Sequence, residues 1–132
     1  MMEEDLRALL LADAGVAAAT GGRVTWGVRP QGSAFPAVVL YVVGSVPAYT
    51  LQEDTTRRDA RVQADCMGAT YAEANAVSRA VSAALSGYRG EYGSTIFQGI
   101  FQDSARDLSE PGATEQIYRV SLDFIVHHLP QE

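Results

Sequence analysis

The chain has one cysteine, two histidines and more acid than base, and each scarcity removes a class of function. A lone thiol, Cys66, forms no internal disulfide, so the fold rests on a hydrophobic core. At 132 residues such a core is large enough without a metal or cross-link, and the length fits a single domain over residues 1–132. Cys66 falls on the small-residue face of an alternating stretch and reads as a packed thiol rather than a nucleophile. His127 and His128 are adjacent on a strand, so their rings point to opposite faces and do not share one metal; the pair reads as a solvated strand end. The formal charge of −6 argues against a domain that grips nucleic-acid phosphate, because the one basic pair, Arg57-Arg58, is flanked by Glu53, Asp54 and Asp59. No apolar run reaches membrane-spanning length; the longest, residues 35–43, is strand-sized. The acidic start, Met1 to Asp5, is the opposite of a secretory leader and points to synthesis in the cytoplasm.

Catalytic patterns are also missing. The spacing of Gly87, Gly90 and Gly93 invites a phosphate-loop reading, but no strand leads directly into it, no helix follows and no lysine is near. Asp103, Asp107 and Glu110 match no calcium loop and read as a solvated segment. No nucleophile, base and orienting acid fall into a recognisable order. The expectation is therefore a protein that is not an enzyme, with no catalytic, metal or cofactor residues.

What is present is organised around residues 59–85. Ala60, Val62, Ala64 and Cys66 alternate with Arg61, Gln63, Asp65 and Met67, the period of a strand with one face buried. The pattern breaks at Gly68, and Thr70 to Glu73 reads as a capping box. Ala74, Val77, Val81, Ala84 and Leu85 then share one stripe of a helix, and Gly87 stands where a left-handed C-terminal cap belongs. Alanine and serine on this helix let it lie close to a sheet.

The remaining elements attach to that unit. Residues 3–13 read as an amphipathic helix carrying Leu6, Leu9 and Leu10, interrupted at Gly15, with a short helical turn before the reversal at Thr20-Gly21-Gly22. Val24, Trp26 and Val28 alternate as a short strand, with Trp26 at the core or its rim. Residues 37–43 are apolar on both faces and read as a central strand. Residues 95–101 form a further strand, with Gly99 marking a bulge, and residues 102–114 a polar loop. Tyr118, Val120, Leu122, Phe124 and Val126 alternate along a half-buried last strand. The expected fold is α+β, a mostly antiparallel sheet of four to five strands with two helices on one face. Residues 44–58 are too long for a tight hairpin and keep apolar residues at their base, so both strands are expected to run on as a long hairpin arm with a polar tip. Val46, Tyr49, Leu51, Glu53, Asp54, Arg57 and Arg58 of that arm are the candidate contact with a neighbouring subunit or a larger assembly.

Three stretches carry a wider likeness. LLLADAGV followed by GRV and RPQGSAFPAVVL opens the chain, RVQADC precedes the central helix, and RVSLDFIV lies near the C-terminal end. In this order and spacing they resemble the tail-completion, or tail-terminator, proteins of phages and gene transfer agents. The resemblance implies a structural subunit of a virion or phage-like tail. It implies a homo-oligomer, a hexameric ring on the head-proximal end of the tail tube, which stops tube growth and joins the tail to the head. The partners it implies are the tail tube protein and a neck or head-completion protein, with DNA passing through unbound and no membrane. An acidic ring fits that passage, because negative walls let DNA slide. Two other readings remain open: a neck or head-completion protein of the same particle, and a small ferredoxin-like ligand-binding protein or enzyme. The latter would use Tyr41, Asp65, Tyr118 and Asp123.

Overall fold

The computed structural model describes residues 2–27, 34–49, 54–107 and 117–130. Helix α1 (Met2–Ala12) buries Met2, Leu6 and Leu10, spaced four apart on one face, and opens with Glu3, Glu4 and Asp5 at its positive end. The break that follows is set by Asp13, not Gly15: its carboxylate accepts from the Val16 amide at 3.1 Å and caps helix α2 (Ala14–Thr20). Gly21, at φ 62°, closes that helix in the left-handed region.

Strand β1 (Val24–Trp26) pairs in parallel with β2 (Ala37–Tyr49). Every other pairing is antiparallel: β2 with β3 (Asp54–Gly68), β3 with β6 (Tyr118–Pro130), β6 with β5 (Thr95–Asp107), and β5 with β4 (Gly90–Tyr92). Helix α3 (Tyr71–Leu85) follows β3 and lies across β3, β6 and β5. The sheet order is β1-β2-β3-β6-β5-β4.

The fold is α+β as expected, with two corrections of detail. Among the described residues the sheet has six strands, one of them parallel, and three helices accompany it, against the four to five strands and two helices read from the sequence. Strand β4 lies in the glycine-spaced stretch around Gly87, Gly90 and Gly93, where no strand is expected, because its three residues are too few to show a period. Strand β5 continues through Asp107 where a loop is expected; its last residues are exposed at an edge and carry no apolar face to mark them. The extension of β2 and β3 into an arm is observed, with pairing carried to Tyr49 and Asp54. The register shift between Phe97 and Gly99 is the anticipated bulge.

The helices cover one face of the sheet. Leu40, Val62, Ala64, Cys66, Val77, Val81, Phe97, Leu122 and Phe124 pack there as the main core with Leu6, Leu10 and Leu85. Trp26 packs at the rim and donates from its indole nitrogen to the Glu3 carbonyl at 2.7 Å. Cys66 is fully buried, and burial, with Asp65 next to it, pushes its thiol well above the ordinary range, so it is unreactive.

Entry into α3 depends on a close approach. A side-chain carbon on Gly68 would lie 2.7 Å from the Ala74 amide nitrogen and 2.7 Å from Cβ of Glu73. The cap is formed as expected on one side, with Thr70 Oγ1 accepting from the Glu73 amide at 3.1 Å. Its reciprocal half is shifted by one residue, because the Glu73 carboxylate accepts from the Ala69 amide at 2.8 Å. Gly68→Ala is expected to lower unfolding stability by about 1–3 kcal/mol, the usual cost of forcing extra volume into a packed site. Urea denaturation followed by circular dichroism measures it; an unchanged midpoint would show that the strand–helix joint is loose.

Candidate functional site

The face of the sheet turned away from the helices carries the features that the core does not use. Its side chains form transverse rows. Val46, Asp59 and His127 make one; Gly44, Arg61, Ile125 and Phe101 the next; Tyr41, Gln63, Asp123 and Ser104 the third; Val39, Asp65, Ser121 and Arg106 the fourth. The face changes character along the strands. Ala37, Val39, Asp65, Met67 and Ser121 are buried at the end near α3, whereas Val43 and Val46 are 56% and 63% exposed at the other. Phe101, on the same face but toward the opposite edge of the sheet, is 55% exposed. Val43, Val46, Arg61 and Ile125 line a shallow groove of about 480 Å³ at the base of the arm.

Charges on this face neutralise one another. Arg61 reaches Asp103 at 2.7 Å and lies 3.9 Å from Asp123, and Arg106 is 3.5 Å from the same Asp123 oxygen. Ser104 donates to that oxygen at 3.1 Å. Nearer the arm, Asp59 Oδ1 accepts from Arg57 Nε at 3.0 Å and lies 2.5 Å from His127 Nδ1. The His127 ring also meets Phe101 edge-on, with centroids 5.6 Å apart. His127 is therefore part of a knot joining β3, β5 and β6, not a solvated strand end. The two histidines do face opposite ways: His128 lies on the helix side, where Glu3 is among the charges that act on it, and burial pulls its pKa down.

Of the arm residues singled out from the sequence, Val46 is the most exposed large apolar side chain among the described residues, opposite Asp59. Arg57 turns back onto Asp59, and Arg58 donates to the Arg57 carbonyl at 2.9 Å while pairing across to His128. Tyr49 and Asp54 face each other where the two strands end. Leu51 and Glu53 lie outside the described residues. Val43, Phe101 and Ile125 were missed; Val43 lies in the bulge of β2, and Ile125 is an apolar residue out of phase with the alternation of β6.

The residues of the enzyme reading do not converge. Tyr41, Asp65 and Asp123 lie on the open face, with Asp65 accepting from Gln63 Nε2 at 2.9 Å, but Tyr118 is on the helix side, its ring 6.1 Å from that of Tyr71. Among the described residues no cluster of three or more His, Cys, Asp or Glu is placed to hold a metal, and no helix is long and apolar enough to cross a membrane.

An open, charge-balanced sheet face with apolar margins is the surface of a protein that works by contact. The sequence signature of the family described as Tail completion protein gp17 matches residues 4–128, and the chain belongs to that family. It is thus a structural protein of a phage-type tail, a component of the particle. No curated protein sequence matches the chain. Among solved structures, a chain in the virion of a native gene transfer agent particle is similar, with a TM-score of 0.74 and 23% identity over 97% of this chain and 94% of that one. At that identity the likeness is one of fold.

Acid should loosen both side-chain anchors of this architecture. Asp5 on α1 accepts from the Ser94 amide at 3.1 Å, Ser94 Oγ at 3.0 Å and Thr95 Oγ1 at 2.5 Å, tying the first helix to the β4–β5 turn. Burial alone would raise the pKa values of Asp5 and Asp59. The Thr95 and Ser94 hydrogen bonds on one, and those from His127 and Arg57 on the other, outweigh it and hold both below the ordinary 3.8. A lowered folded-state pKa contributes stability above the unfolded value and loses it as pH falls through the folded one. Unfolding stability is therefore expected to fall as pH drops below about 4, and Asp59→Asn should flatten that decline while lowering stability at pH 7 by about 1 kcal/mol. Thermal melts across pH 2–7 test it; parallel curves for the two proteins would remove Asp59 from the account.

Proposed function

We propose that this chain assembles as a ring of six on the head-proximal end of a tail tube, where it ends tube polymerisation and forms the joint with the head. The observation that carries this reading is the open sheet face of a tail-completion subunit. Val43, Val46 and Phe101, three of its most exposed large apolar side chains, stand at the margins of that face and not in the core. A lone soluble chain tends to hide such residues; a subunit uses them. The hairpin arm of β2 and β3 supplies the contact with the neighbouring subunit, through Val46 and the adjoining residues Tyr49, Leu51, Glu53 and Asp54. Arg57 and Arg58 act from its base. The tube protein and a neck protein meet the two ends of the ring. The acidic balance of the chain lets DNA pass without being held.

Two measurements test this. Particles made without the protein should carry tubes of irregular, excessive length and no heads, and adding the purified chain during assembly should restore uniform tails, as counted by electron microscopy. Tubes of normal length without it would sink the reading, and density for the chain at a head-side neck joint would favour a neck protein instead. For the arm, Val46→Gln, which puts no second carboxylate opposite Asp59, should leave the monomer within about 0.5 kcal/mol of the parent, as surface changes do, yet weaken ring formation at least tenfold by light scattering. Rings of undiminished stability would relieve the arm of that role.

A further inference from the structure

We infer that neighbouring subunits join edge to edge, the outer edge of β5 in one copy adding as an antiparallel strand to the outer edge of β2 in the next. This rests on the ring reading and names the surface that receives the arm. Strand β1 pairs with β2 only over Val38–Leu40, and the Gly27 amide donates to the Leu40 carbonyl at 2.8 Å. Beyond that point no described strand covers β2. At the other side of the sheet β4 pairs with β5 only from Thr95 to Phe97, and no described strand pairs with the outer edge of β5 from Phe101 to Arg106. Both stretches are largely exposed. An open edge of this length is a template for another strand.

Direction and face select the partner. Three antiparallel steps separate β2 from β5 in the sheet, so the two strands run in opposite senses. Copies related by rotation about a ring axis therefore bring β5 against β2 antiparallel, with no inversion of either subunit. Side chains keep to their own faces only in certain registers, because a one-residue slip turns every one over. The register that sets Phe101 opposite Val46 also sets Ser104 opposite Val43 and Arg106 opposite Tyr41, and all six face the open side of the sheet. The register shifts of the two strands, between Val42 and Gly44 and between Gln102 and Ser104, fall beside each other in this pairing.

The register also explains where pairing stops. Pro47, which has no amide hydrogen, comes opposite Ile100. The Ile100 amide already donates to the Tyr88 carbonyl at 3.0 Å, and its carbonyl accepts from Gly87 at 2.7 Å. Neither residue asks anything of the other. Joining β5 to β5 about Ser104 would instead set Phe101 against Asp107 and leave the β2 edge bare, whereas head-to-tail closure uses both edges of every copy.

A cysteine pair tests the register. In a Cys66→Ala background, Val46→Cys with Phe101→Cys should form a disulfide on mild oxidation of assembled rings, since opposed residues of antiparallel strands come close enough. Both positions are exposed, so the fold tolerates them. The expected product is a ladder of multiples of the chain, ending at the ring. Each single variant, and the face-mismatched pair Ser45→Cys with Phe101→Cys, should stay uncross-linked. Rings seen by light scattering without a ladder would overturn this inference and leave the ring reading standing. A dimer from Phe101→Cys alone, or a product containing another protein, would also overturn it. A chain that forms no ring, free or on tubes, would overturn both.

Discussion

The architecture depends on how closely α3 can approach the end of β3. Gly68 leaves no side chain between the strand and the helix backbone, and Thr70 and Glu73 satisfy the first free amides of the turn. From that joint α3 is laid over the small residues Ala60, Ala64 and Cys66, and its own Ala74, Val77 and Val81 reach the floor of the core. A bulkier joint would lift the helix from β6 and β5 together, because one rigid element contacts all three strands. Small residues here let dispersion contacts close over the whole face.

Because the helices are committed to that one face, the rest of the sheet is left for other work. Polar rows between β3, β6 and β5 hold it in register by neutralising charge across strands: Arg61 with Asp103 and Asp123, and Arg106 with Asp123. Pairs as exposed as these add little stability singly. Their larger effect is on specificity, since a face with its charges internally matched presents no strong field and leaves its apolar margins to define where a partner sits.

Much of the helix-facing half was legible in the sequence. The period of two from Ala60 to Cys66, the break at Gly68, the cap at Thr70 and the stripe Ala74-Val77-Val81 are local patterns, and each became the element it described. The open half was not legible. Its polar residues obey no hydrophobic period, and the bulges at Val43 and Asp103 shift the phase just where the exposed apolar residues lie. Strand β4 and the end of β5 exist because a neighbouring strand supplies hydrogen bonds, which local composition does not report. The Asp59–His127 contact spans 68 positions and Asp5–Thr95 spans 90, distances over which a single sequence shows no pairing.

An unguarded strand edge is a hazard as well as a tool, and the two edges that no described strand covers are shaped to limit the hazard. Each carries a bulge, β2 carries Pro47, and β5 ends in the charged run Asp103, Arg106 and Asp107. Such features discourage indefinite or out-of-register pairing. They do so without closing the edge, because the exposed apolar residues sit between them rather than beyond them. A free edge that accepts one strand in one register suits a subunit that must join a closed set of copies and no more. It does not suit one that must polymerise without limit. The same bulges that hide this surface from a period-based reading would, in the proposed ring, restrict it to one register with a neighbouring copy.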